Sequence, residues 1–182
     1  MISYCKRLSS FVDPYSIGMN FSKSTSISEI LAHFQLQKPV FSLKDHGPMI
    51  LTHIFKLKFS GDFSKSLNDQ RFKDLLLMIN TEQSLDTYLD LLLQVSMIYK
   101  LTKTPLPEEL KKGFNRRLID NHKSLNLDNA VKSFQIISLV ANSDDHFIKH
   151  ATTISKSFLD LCEKKSPSGM DCLNIVKSLI NL

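Results

Sequence analysis

The sequence predicts an all-α protein, an α-solenoid of about four helical hairpins with a period near 42 residues. Three observations point there. From residue 27 onward the apolar residues recur at helical spacing, and strict alternation never persists for six residues. Only five glycines and no tryptophan occur in 182 residues, too little glycine for the many turns of a barrel or sandwich. A shift of 42 residues superposes apolar positions in five series. These set Ile30 on Phe72 and Phe114, Phe34 on Leu76 and Leu118, Leu89 on Val131 and Leu173, Leu92 on Phe134 and Val176, and Val95 on Ile137 and Leu179.

The elements follow in order. Residues 1–26 form an arm with Lys6, Arg7 and Lys23 against one acid, Asp13, and many hydroxyl side chains. With Ile2, Cys5, Leu8 and Phe11 on one stripe, the arm resembles a mitochondrial targeting segment. A single repeat domain is expected over 27–182. Ser26 and Glu29 have capping-box spacing and open a helix over 27–36. Lys38-Pro39 ends it, and a second apolar helix is expected over 49–59, then a third over 67–80. The stretch 85–101 is apolar almost all round. Pro105 and Pro107 ahead of Glu108 and Glu109 start a helix over 108–122, where prolines suit the first turn and acids face the positive dipole end. Helices over 127–141, 146–163 and 170–182 complete the chain, parted by Asn142-Ser143-Asp144-Asp145 and Ser166-Pro167-Ser168-Gly169. A single helix pair cannot bury both of its apolar faces, so neighbouring pairs must stack. The more apolar series (49–59, 85–101, 127–141, 170–182) is expected between neighbours, with the more polar series lining an outer surface.

Composition excludes some classes. With 42% apolar and 23% charged residues the chain can repay the entropy of folding. Its longest apolar run, residues 75–79, is far short of a membrane-spanning helix. Lys and Arg outnumber Asp and Glu by 23 to 18, and the net charge of +5 favours a polyanionic partner. Three scattered cysteines, Cys5, Cys162 and Cys172, suit a reducing or organellar interior.

The period and two-helix unit are similar to those of armadillo and HEAT arrays. Leu127-Asp128-Asn129-Ala130-Val131 onward, then Met170-Asp171-Cys172-Leu173-Asn174-Ile175-Val176-Lys177-Ser178-Leu179, have a further texture: an apolar helix, a small-residue break, then a more polar helix. In this the chain resembles, over about residues 43–182, the degenerate helical repeats of organellar RNA-binding proteins, the FAST-kinase-like and RAP-associated group and the octotricopeptide group. The resemblance implies RNA binding.

No catalytic pattern stands out. His146 and His150 share a helical face as zinc ligands would, but no glutamate follows the first, and Asp144 and Asp145 read as helix-start residues. Cys162 and Cys172 are too far apart for a zinc knuckle. Gly61-Asp62-Phe63-Ser64-Lys65-Ser66 lacks the second glycine of a phosphate loop. No cofactor, metal or small-molecule substrate is expected. The strongest candidate is basic: Lys111, Lys112, Arg116 and Arg117, with Lys123 beyond them. Arg71 and Lys73 lie on the equivalent helix before, and Lys149 and Lys156 on the one after, so that stacking would form a stripe for RNA phosphates. The last helix carries Leu173, Ile175, Val176, Leu179, Ile180 and Leu182 over more than one face and is expected to contact protein. The function expected is an accessory subunit of a mitochondrial ribonucleoprotein, most plausibly the ribosome; the alternative is a HEAT-like adaptor, in the mitochondrion or cytoplasm, whose contacts are all with protein.

Overall fold

The structure, a computed structural model, describes residues 21–61, 63–121, 124–140 and 168–172. All regular structure among them is helical. The chain divides into two compact units, Met1–Leu75 and Leu76–Leu182.

In the first unit a helical turn at 21–23 precedes α1 (Ile27–Gln37), a 3-10 turn (Lys38–Val40), α2 (Leu43–Lys56) and α3 (Phe63–Ser66). The unit boundary falls inside α4 (Gln70–Thr81). Ser26 caps α1 by accepting the Glu29 amide at 3.2 Å, and the Glu29 carboxylate reaches back to the Thr25 amide at 2.8 Å. This is the expected capping box, closed one residue earlier than its usual form. The core gathers Ile30, Leu31 and Phe34 of α1, Ile50, Leu51 and Ile54 of α2, and Phe63. Phe41 stands edge-on to Phe34, ring centres 5.0 Å apart. Arg71, on the first turn of α4, donates to the Ser28 carbonyl and hydroxyl, both at 3.2 Å, and so ties that turn to α1.

The second helix begins earlier than the sequence predicts, at residue 43 instead of 49. A glycine and a proline, Gly47-Pro48, directly precede residue 49, yet Pro48 lies inside α2. Its start is fixed by Ser42, whose hydroxyl accepts the Asp45 amide at 3.3 Å, while the Ser42 amide donates to His46 Nδ1 at 2.9 Å. Paired caps outweigh one missing amide so near the first turn. The short α3 lies between the helices expected over 49–59 and 67–80, where no helix is expected.

The second unit holds α5 (Leu85–Thr102), α6 (Glu108–Asn121), α7 (Leu127–Val140) and a helical turn at 169–172. The stretches α5 and α7 pack on one another. Leu89, Leu92 and Val95 of α5 are buried, as are Val131, Phe134 and Ile137 of α7. Lys132 on α7 bridges Asp90 of α5 and its own Asp128, both at 2.6 Å. Burial, the largest influence on this ammonium, works against its charge, but the Asp128 and Asp90 carboxylates outweigh it and its pKa is raised.

The 42-residue register recurs in the capping chemistry. Ser42, Ser84, Asn126 and Ser168 each open a helical segment by accepting the backbone amide three residues on, at 3.3, 3.3, 2.8 and 3.2 Å. Burial follows the same spacing. Ile30, Phe72 and Phe114 are 0, 1 and 1% exposed, and Ile50, Leu92 and Phe134 are 0, 0 and 3% exposed. Positions 72 and 114, expected to occupy equivalent surroundings, match in burial, as do 92 and 134. The helices expected over 146–163 and after 172 lie outside the described residues.

Candidate functional site

The candidate cations occupy different surroundings. Arg117 sits on α6 with its guanidinium 4.0 Å over the Tyr88 ring, donating to the Asn80 carbonyl at 2.8 Å and to the Glu82 carbonyl. It therefore caps the end of α4 from within the second unit. Lys111 pairs with Glu108 at 2.6 Å. Lys112 and Arg116, one turn apart, are exposed and have no ion-pair partner among the described residues. In the first unit Lys73 is exposed, whereas Arg71 is held by Asp69 at 2.7 Å. The hydrogen bond from Arg71 keeps the Asp69 carboxyl below its usual pKa, just as Lys38 and then Gln70 do for Asp74. Lys123, Lys149, Lys156 and the apolar set Leu173, Ile175, Val176, Leu179, Ile180 and Leu182 lie outside the described residues.

Among the described residues no group of three or more His, Cys, Asp or Glu could hold a metal, and no helix is long and apolar enough to cross a membrane. Cys172 is an exposed free thiol, and His146, His150 and Cys162 lie outside the described residues.

Sequence reasoning passes over a different surface. Several large apolar side chains face solvent, among them Phe59 at 90% and Leu101 at 47% exposure, and these two are 42 residues apart. Each follows a lysine, Lys58 or Lys100, and stands four residues after another apolar side chain, Phe55 or Met97. Lys58 lies over both neighbouring rings, 4.7 Å from that of Phe55 and 5.1 Å from that of Phe59. Lys100 has methionine and leucine in those places and no ring to cover.

Beside Lys100 is a cleft of about 310 Å³ between the C-terminal ends of α5 and α7. Tyr99, Leu106, Leu139 and Val140 form its apolar lining, with Lys100 and Lys103 among its polar residues. Burial pushes the Tyr99 hydroxyl up to about 12. Lys103 ends α5 in the left-handed region (φ 55), and its amide and that of Thr104 cap the Lys100 and Tyr99 carbonyls. That turn sends Thr104-Pro105-Leu106 back along the helix end, where Leu106 is buried. The sequence does carry a signal for this place: residues 91–107 contain two lysines and no acid.

No family model, no curated protein and no solved structure matches the chain.

Proposed function

We propose that the chain is a non-catalytic helical-repeat adaptor, a subunit that holds protein partners within a larger assembly. The observation that carries this reading is the recurrence of exposed apolar side chains beside a lysine, Phe59 and Leu101, at one repeat's spacing. Exposed apolar groups of this size mark contact surfaces when they cluster. The caps at 42, 84, 126 and 168 support an α-solenoid of about four stacked hairpins, in which each unit offers the same face. Small-angle scattering tests that architecture. A compact chain of this length has a radius of gyration of roughly 16 Å, and a solenoid exceeds it.

A second reading is an RNA-contacting subunit of a mitochondrial ribonucleoprotein such as the ribosome. What favours it is the couple Lys112 and Arg116, exposed and without an ion-pair partner among the described residues. Ribonuclease separates the two. Native complexes isolated through this chain keep their protein partners after digestion if it is an adaptor, and lose them if RNA is the link.

A further inference from the structure

We propose that the cleft between the ends of α5 and α7 is a docking site for an acidic peptide segment of a protein partner. The segment would place an apolar side chain against Tyr99, Leu106 and Val140 and carboxylates beside Lys100 and Lys103. This inference rests on the adaptor reading and names the chemistry of its partner.

Charge complementarity selects the occupant. Lys111 and Lys132 in the same unit are each paired with carboxylates of the chain. Lys100 and Lys103 have no such partner among the described residues, and no acid occurs between Asp90 and Glu108. Two ammonium groups at one cleft repel each other, and a ligand carrying carboxylates relieves that repulsion. Apolar walls then reward a large aliphatic or aromatic side chain next to those carboxylates.

The backbone is prepared for such a ligand. A left-handed residue without glycine is unfavourable, and glycine or asparagine usually takes that place. Lys103 occupies it and thereby keeps a second cation at the cleft. The Thr102 and Thr104 hydroxyls meet at 2.6 Å and Thr102 also bonds the Tyr99 carbonyl at 2.9 Å, so the turn is braced before any partner arrives. Preformed walls spare a ligand the entropy of ordering them.

The test pans a random twelve-residue peptide library against the full chain, then measures selected synthetic peptides by fluorescence anisotropy. The expected result is selection of peptides with two or more Asp or Glu beside a large apolar residue. Lys100→Glu with Lys103→Glu should then weaken binding roughly tenfold or more, through charge reversal at the contact. The milder pair Lys100→Ala and Lys103→Gly should weaken it less, and Lys112→Glu with Arg116→Glu should leave it unchanged. Acidic peptides that bind the doubly reversed variant unimpaired would overturn the cleft while leaving the adaptor reading standing. Binding of a twenty-nucleotide oligouridylate that is lost with the same variant, without peptide binding, would make this an RNA face and overturn the proposal. If neither probe binds, the proposal fails, and the ribonuclease experiment judges the adaptor reading separately.

Discussion

Arg117 and Tyr88 form a stacked cation and ring, with the guanidinium 4.0 Å from the ring centre and its donors spent on the Asn80 and Glu82 carbonyls. Tyr88 is fully buried, so the pair is shielded from water. Arg117→Ala removes the stacking and leaves two helix-end carbonyls without a donor, at a cost of about 2–3 kcal/mol. Lys112→Ala and Arg116→Ala, on the exposed side of the same helix, should stay within about 0.5 kcal/mol. Urea unfolding monitored by circular dichroism checks both. Equal, small effects at all three positions would mean that Arg117 does not brace the fold. RNA tests should accordingly use Lys112 and Arg116 without Arg117.

Gly113 faces the Asn80 side chain so closely that a Cβ at 113 would overlap its Oδ1. Alanine in a helix interior ordinarily gains about 1 kcal/mol over glycine. Here overpacking, worth about 1–3 kcal/mol, should reverse the sign. In an Asn80→Ala background the overlap is gone, and Gly113→Ala should become stabilising. A double-mutant cycle in thermal denaturation reads that change of sign, and additive effects would refute it.

The capping positions should behave alike. Ser42→Ala, Ser84→Ala and Asn126→Ala each remove one side-chain acceptor and should each cost about 1 kcal/mol. Glycine at the same places should cost only a few tenths. A cap without effect at one position would separate that unit from the others in the repeat.

Alkaline pH should destabilise the protein through its buried phenols. Burial raises Tyr99 from 10.0 to about 12, and it raises Tyr88 further, against a partial pull downward from Arg117 and Arg116. Between these values the folded chain keeps protons that the unfolded chain has released. Stability is therefore present in full below pH 10 and is lost as pH rises through about 12. Absorbance of phenolate near 295 nm should show Tyr88 and Tyr99 ionising only with unfolding. Ionisation of Tyr88 and Tyr99 near pH 10 in the folded chain would contradict their burial.

Lys103 sets stability against binding. Lys103→Gly removes the left-handed penalty and should stabilise the chain by about 1 kcal/mol. The same change takes a cation from the cleft and should weaken the acidic peptide. Calorimetry and anisotropy on one variant measure both, and a stabilised protein with unaltered affinity would show that Lys103 is only a helix cap.

Much of the architecture is legible in the residues because helical spacing and caps are local. Ser26 with Glu29, and Pro105-Leu106-Pro107-Glu108, announce their helices within one turn. The early start of α2 is hidden because Gly47-Pro48 is the stronger local signal, and only the paired bonds of Ser42, Asp45 and His46 overcome it. The candidate cations are harder to read. Arg116 and Arg117 are adjacent and chemically identical in sequence, yet the 100° step of the helix turns one to solvent and the other onto Tyr88. Whether a cation is spent inside the chain depends on a ring 29 positions away, which no window of sequence contains.

The reach of the polar ties has a kinetic consequence. Arg71 to Ser28 and Asn129 to Asp86 each span 43 residues, and Arg117 reaches back 35 and 37. Each such tie closes a loop about one repeat long, and the closure entropy grows only slowly with that length. A chain wired in this way can form any one neighbouring pair before the rest, and then extend. Its folding rate should be that of a protein dominated by local contacts, in microseconds to milliseconds.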